Sequence, residues 1–334
     1  MSPKAILILS LSLILSLSAY PTRLPAQDAG ISIRVDGVLA GGDSAPRIEN
    51  GRVLVPLRSV VEYMQGKMHW YPDEQQIIGF RGPHGFDLIV GASKANLSDG
   101  RTYDLDVPAR IVSGRTYVPL RFVAEAMACA VEWDEPSRTA VIDTLPIDVE
   151  KEVRALAEPV LLQVMSDKGT GSAFFFSKDG QVVTCAGIVS GASWIRVRTS
   201  DGAEYSAEPL VVDHVLCLAK LRVIKQPGEV FPVFRYFDDF SGVEAGDPIF
   251  AVGSPLLAEE ILSPGRIGEK AQGSETRGGV DAYEVTAAIT AENVGGPLVK
   301  DNAALIGVNC LAEKDGVVDA YGTPITSVFA MRNR

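Results

Sequence analysis

Histidine is scarce in this chain: His69, His84 and His214 are the only three among 334 residues. They share no ligand-like spacing, so no metal centre is expected, and nothing else calls for a cofactor. Cysteine is nearly as sparse. Cys129, Cys185, Cys217 and Cys310 contain no CxxC pair, which argues against zinc, and four thiols in a chain this long do not make a disulfide scaffold. Burial as small apolar side chains is their default. Positive charge is in deficit, with 31 Lys and Arg against 42 Asp and Glu, a net −11. Without a basic cluster, such a chain is not expected to bind nucleic acid or an anionic membrane through its overall field. No apolar run beyond Ala19 is long enough to span a bilayer.

What remains is an ordinary globular composition, 46% apolar and 22% charged, and a length that suggests two domains of about 150 residues each. The first residues read as a processing signal. Lys4 precedes an unbroken apolar and serine run from Ala5 to Ala19, and Leu24-Pro25-Ala26 offers a cleavage point. The run is shorter than the roughly 20 residues a span needs. A signal peptide over 1–26 is expected, leaving a mature protein without a membrane span. No cysteine lies at the cleavage point to carry a lipid. The expected location is secreted or cell-surface.

The next hundred residues repeat themselves at an offset of 63. Gly51-Arg52-Val53-Leu54-Val55-Pro56-Leu57-Arg58 returns as Gly114-Arg115-Thr116-Tyr117-Val118-Pro119-Leu120-Arg121, and Trp70 returns as Trp133. Asn50-Gly51 and Ser113-Gly114 signal turns. Pro56 and Pro119 suit a first helical position. Leu57, Val60, Val61 and Met64, like Leu120, Val123, Ala124 and Met127, then mark one buried helix face. Gly66 and Cys129 stand where the helices end, and the two tryptophans open closing strands. The spacing predicts a duplicated strand-helix-strand unit. Arg58 and Arg121 are expected to stabilise helix ends or to pair with carboxylates. The doubled Val-Pro-Leu-Arg motif, with Val131-Glu132-Trp133-Asp134, resembles the copper amine oxidase N-terminal (stalk) domain. The resemblance implies an α+β structural or cell-surface module over 31–144, of the kind found in exported bacterial proteins. Copper chemistry does not come with it, because the histidine ligands are missing.

Leu145-Pro146 closes this region. Asp148 suits an N-cap, and Val149, Val153, Leu156 and Ala157 recur at helical spacing up to Pro159, so 145–159 is expected to be a linker helix. From Pro159 the pattern changes to short strands between turns such as Lys178-Asp179-Gly180 and Ser200-Asp201-Gly202, the mark of a sandwich or barrel. Landmarks in this half resemble the HtrA family of trypsin-like serine proteases. They are Gly169-Thr170-Gly171-Ser172-Ala173-Phe174, Ala251-Val252-Gly253-Ser254-Pro255, Gly265-Arg266-Ile267 and Gly295-Gly296-Pro297-Leu298-Val299. The implied fold for 160–334 is an all-β trypsin-like double barrel with a cleft between the barrels.

The same resemblance locates the catalytic triad, and each place is changed. Gly187 stands where the family has its histidine base, Cys217 where it has its aspartate, and Val294 where it has its nucleophilic serine. Gly187 offers no base and Val294 no nucleophile. Glu292 and Asn293 are what remains of the oxyanion loop, and a carboxylate there opposes the charge such a site must stabilise. The resemblance also pairs the Cys217 position with that of Cys310, which makes Cys217–Cys310 a candidate disulfide, with Cys185 as a competing partner for Cys217.

The expectation drawn from these residues is a pseudoprotease, not an enzyme. It would be an exported protein of the bacterial cell envelope, acting as a binding or structural module whose cleft takes an extended peptide or an envelope protein. The alternative is a secreted hydrolase or peptidase with an altered, Cys-based site, Cys217 acting with His214. Residues three apart in an extended strand face opposite sides, which weighs against that pair. The oligomeric state is left open.

Overall fold

The computed structural model describes residues 30–41, 45–235, 242–274, 279–314 and 317–331. The signal-peptide reading over 1–26 lies outside them.

The 63-residue repeat becomes hairpin, helix, hairpin, twice. The first copy runs Arg47–Glu49, Arg52–Pro56, helix α1 (Leu57–Tyr63), Lys67–Tyr71 and Gln76–Arg81. The second runs Arg110–Val112, Arg115–Pro119, helix α2 (Leu120–Ala126), Cys129–Asp134 and Thr139–Thr144. Each predicted single strand is thus half of a hairpin. The two-residue turns Asn50-Gly51 and Ser113-Gly114 have positive φ at both positions, as tight hairpin turns require. The motif strands pair antiparallel across the copies, with Val55 opposite Val118. Equivalent residues facing one another is what a local twofold axis demands. The helix faces are buried as the spacing predicts: Leu57, Val60, Val61 and Met64, and Leu120, Val123, Ala124 and Met127, are at most 3% exposed.

Two local readings are corrected. Pro56 and Pro119 cap the helices from extended backbone instead of occupying the first helical position. The helices end at Tyr63 and Ala126, and the left-handed residues that turn the chain after them are Gln65 and Ala128, one before Gly66 and Cys129. A Cβ on Gly66 would meet Met127 Cε and the Phe80 carbonyl, so that glycine serves close packing between the copies.

Helix α3 (Val149–Ala157) starts at Asp148, whose carboxylate accepts the Lys151 N–H at 3.1 Å. Val153 and Ala157 are fully buried in the same core as the strands that follow, so the expected linker packs onto the second domain. That domain consists of two closed six-stranded barrels. Around the first, the order is Leu161–Ser166, Thr170–Phe175, Gln181–Cys185, Leu218–Val223, Glu204–Asp213 and Ile195–Thr199. Around the second it is Pro248–Val252, Leu262–Ser274, Val280–Val285, Val317–Pro324, Leu305–Lys314 and Pro297–Lys300. Both barrels have the same serial order, the first three strands followed by the last three reversed. Short helices α4 (Ala186–Val189) and α5 (Ile325–Ala330) follow the third strand of the first barrel and the last strand of the second. No helix among the described residues is long and apolar enough to cross a membrane.

Candidate functional site

The three altered triad positions arrive from both barrels. Strand Gln181–Cys185 ends at Cys185, which caps α4 from extended backbone, and Gly187 is the second residue of that helix. A Cβ on Gly187 would meet only Cys185 Sγ, at 4.0 Å, so the direction a base would occupy is open. Cys217 closes the turn before strand Leu218–Val223 in the left-handed region, at φ 59°. Its carbonyl accepts the Ala186 N–H at 3.1 Å, tying the start of α4 to this turn. Val294 sits on the loop between the barrels and is 9% exposed.

The loop 290–296 is held by its own hydrogen bonds. Thr290 N–H donates to Asn293 Oδ1 at 2.8 Å, and Asn293 Nδ2 donates to the Ala288 carbonyl at 2.9 Å. Val294 N–H donates to the Thr290 carbonyl at 3.0 Å, and Glu292 N–H to Thr290 Oγ1 at 3.2 Å. Thr290 therefore engages the amides of Glu292 and Val294, which this arrangement does not offer to an incoming carbonyl. Two buried polar side chains brace the loop from opposite barrels. Ser172 Oγ donates to the Glu292 carbonyl at 2.6 Å and accepts the Ser254 N–H at 2.7 Å. Asn309 Nδ2 lies 3.1–3.2 Å from the carbonyls of Val252, Asn293 and Pro297.

The cysteines form a buried group behind these positions. All four thiols are free. Cys217 Sγ lies 3.1 Å from Cys185 Sγ. Cys310 Sγ lies 3.7 Å from the Cys217 carbonyl and 3.3 Å from Thr323 Oγ1. The candidate Cys217–Cys310 bridge is thus not formed, and Cys217 turns its sulfur to Cys185. Thr323 Oγ1 donates to the Leu216 carbonyl at 3.1 Å, supplying a hydroxyl on the strand beside Cys310. The Cys185 thiol is pushed upward by its hydrogen bond with Cys217 and then by burial. Cys217 feels a downward pull from Cys185, but Cys310 and burial together outweigh it and its net shift is upward. Neither is a ready thiolate at neutral pH.

His214 does not serve Cys217. Its Nε2 lies 2.9 Å from Ser190 Oγ, at the end of α4, while the Cys217 sulfur faces the other way. Ser190, Thr290, Ser172, Asn309 and Thr323 were not singled out as site residues from the sequence. Ser172 lay inside a segment that carried the family resemblance, Gly169 to Phe174, so its signal was present, but its role was not readable without the loop that it and Asn309 brace.

A sequence model of the copper amine oxidase N-terminal domain matches residues 34–142, and one of the trypsin-like peptidase domain matches residues 171–308. The chain therefore carries a copper amine oxidase N-terminal domain followed by a trypsin-like peptidase domain. Serine protease HTRA4 of Homo sapiens is 32% identical over 152 residues, 44% of this chain and 31% of that protein. Putative serine protease HhoB of Synechocystis sp. is 31% identical over 163 residues, 48% of this chain and 38% of that protein. Putative serine protease HhoA of the same organism is 25% identical over 241 residues, 68% of this chain and 60% of that protein. The chain spans about a third of the length of the first two. These relatives correct one expectation. From Gly187, Cys217 and Val294 the chain was expected not to be an enzyme, yet its relatives are named serine proteases and point to a protease. The chain is protease-related.

Proposed function

We propose that the chain works outside the cytoplasm as a protease-related protein whose second domain takes an extended polypeptide along the edge of its second barrel. One observation carries this reading. Strand Leu305–Lys314 pairs with Pro297–Lys300 only as far as Val308, whereas its pairing with Val317–Pro324 continues to Lys314. Beyond Cys310, which is fully buried with its sulfur against the Cys217 carbonyl, the ladder is one-sided among the described residues, and this edge starts just past the loop 290–296. An unpaired strand edge accepts an extended chain through backbone hydrogen bonds. Asn309, just before that edge, and Ser172 brace the neighbouring loop 290–296 through its backbone. The export reading supports an extracytoplasmic setting and rests on the leader alone.

The test is anisotropy of a fluorescein-labelled casein peptide with the purified protein. Saturable binding is expected, weakened at least tenfold when alternate backbone nitrogens of the peptide are methylated. No saturable binding, or equal binding of the methylated peptide, defeats the proposal.

A second reading, hydrolysis, has an observation of its own. Ser190 Oγ and His214 Nε2 are within the reach a nucleophile and its base require. Mass spectrometry of the same incubation reads cleavage, and fluorophosphonate labelling of Ser190 reads the nucleophile. Neither cleavage nor labelling would end that reading without touching the binding result.

A further inference from the structure

The repeat makes a cavity twice in the first domain. One, of about 580 Å³, lies around Trp70, and the other, of about 420 Å³, lies around Trp133. Each takes the Pro-Leu-Arg turn of one copy and the Gly-Arg of the other copy's hairpin. Neither Arg58 nor Arg121 hydrogen-bonds a carboxylate among the described residues, so the expectation that they serve helix ends or ion pairs is replaced by a place on a cavity wall. Arg115 of the first cavity is engaged, and in the second Arg52 meets Asp106 and Trp133 Nε1 donates to Glu135. The nucleophilic side chains that the candidate site leaves unused lie in the second domain, around α4.

Helix α4 does not hold itself. It has four residues, one of them Gly187, and a helix this short does not recover the cost of its first turn. Its polar ties run to the turn before strand Leu218–Val223. The Ala186 N–H donates to the Cys217 carbonyl at 3.1 Å, and at the far end of α4 Ser190 Oγ lies 2.9 Å from His214 Nε2. Beside the first of these ties, Cys185 at the N-cap puts its sulfur 3.1 Å from that of Cys217. Bonded sulfurs stand about 2.05 Å apart, so a shift of about 1 Å separates this contact from a covalent one. Cys217 also holds φ 59°, in the left-handed region where a glycine would be unstrained. Both thiols are shielded, Cys185 being 6% exposed and Cys217 9%. Cys310 is the rival partner, since it too acts on the Cys217 thiol, but its sulfur is engaged with the Cys217 carbonyl and Thr323 Oγ1.

We propose that Cys185 and Cys217 are a disulfide site, and that their bridge clamps α4 to the turn 214–217. The oxidant is an external disulfide. One cysteine, as thiolate, attacks a sulfur of the oxidant, forming a mixed disulfide and releasing the oxidant's other sulfur as a thiol. The second cysteine, as thiolate, attacks the protein sulfur of that mixed disulfide. The bridge forms and the oxidant's remaining sulfur leaves as a second thiol. Two protons and two electrons thus pass from the cysteines to the oxidant. Neither folded thiol ionises readily at neutral pH, so the exchange belongs to the folding chain, where a thiol ionises near pH 8.5. Once made, the bridge is buried away from reducing thiols. An oxidising setting comes from the export reading, whereas glutathione added to the purified protein tests the bridge without it.

The full chain is unfolded with reductant, refolded in oxidised and reduced glutathione, alkylated and mapped without reduction. Trypsin places the four cysteines on separate peptides, 122–138, 179–196, 199–220 and 301–314. The expected link joins 179–196 to 199–220, survives Cys310→Ala and is lost in Cys217→Ser. Protein secreted by an expression host through an oxidising compartment gives the same map without refolding. Reductant should lower the denaturant midpoint of the bridged protein and leave that of Cys217→Ser unmoved. Exchange of the Ala186 and Ser190 amides should be roughly tenfold slower with the bridge than without it. Only the reduced form has these two thiols to titrate, so a loss of stability above about pH 8.5 that is traceable to them should appear on reduction. A link from 199–220 to 301–314, or alkylation of all four cysteines in folded protein, would overturn the site. Equal midpoints and equal exchange in the bridged and reduced forms would overturn the clamp.

Discussion

Both domains are built by repetition, but they repeat different things. The two barrels of the second domain share a serial strand order and no visible sequence, whereas the two copies of the first domain share the motif residue for residue. A barrel asks only that apolar side chains alternate inward, and many sequences satisfy that. The first domain asks more of its repeat. Val55 and Val118 must meet each other on the axis, Asn50-Gly51 and Ser113-Gly114 must both turn left-handed, and each Pro-Leu-Arg must close a cavity with the other copy's hairpin. Repetition stays legible where equivalent residues touch across an axis, and fades where only a pattern of burial is required.

The largest expected effect is at the inter-barrel loop, where the second domain is least tolerant. Gly295 has φ 81°, and a Cβ there would meet the Ser172 carbonyl at 2.5 Å, Thr184 Oγ1 at 2.6 Å and the Cys185 amide at 2.7 Å. These are mostly backbone atoms that cannot give way. Gly295→Ala should cost about 4 kcal/mol, from overpacking plus left-handed strain. Hydrogen exchange should show strand Gln181–Cys185 opening while the first domain keeps its protection. Equal loss in both domains would mean that they unfold as one unit.

The twofold reading of the first domain can be broken next. Val55 and Val118 are both fully buried. Val55→Ala and Val118→Ala should each cost about 2 kcal/mol for two buried methyl groups and the cavity left behind. Denaturant midpoints should agree between the two variants. A difference above about 1 kcal/mol would show that the axis does not equalise their surroundings.

This repeat was legible because its signals are local: turn pairs, helix faces and a fixed offset. The cavities were not, because Arg58 and Arg115 come to line one cavity only when one copy packs on the other. The same division holds in the second domain. The glycine-rich segments announced the barrels, and Gly187, Cys217 and Val294 could be placed along the chain. The loop could not be read, since Thr290, Ser172 and Asn309 act on backbone groups far away in sequence. The sulfur geometry was equally hidden: the register Cys185 opposite Leu218 brings Cys185 to Cys217, and no spacing rule foretells that.

A smaller effect separates the domains by pH. Burial pushes Cys129 of the first domain up to about 11, and Cys185 and Cys217 of the second are both raised. A thiol in the unfolded chain ionises near pH 8.5, so above that pH the unfolded state sheds protons that the folded state keeps. The stability these thiols contribute is thus full below about pH 8.5 and falls as pH rises towards the folded values. Between pH 8.5 and 9.5 the loss should be about 1 kcal/mol from Cys129 and about twice that from the Cys185–Cys217 pair. Cys129→Ala and Cys217→Ala should each flatten the profile of their own domain alone. Parallel profiles in both variants would remove the thiols as the cause.

The smallest effect belongs to an exposed ion pair of the first domain, Arg52 with Asp106. Arg52 and Asp106 meet at 2.6 Å with side chains 51% and 62% exposed. An ion pair this open exchanges its attraction for lost side-chain freedom and is screened by salt. Asp106→Asn should therefore lower stability by under about 1 kcal/mol, and by less in 0.5 M salt than at low ionic strength. Thermal midpoints at two salt concentrations measure this. A larger, salt-independent loss would mean that Asp106 holds the Trp133 cavity together and is part of its architecture.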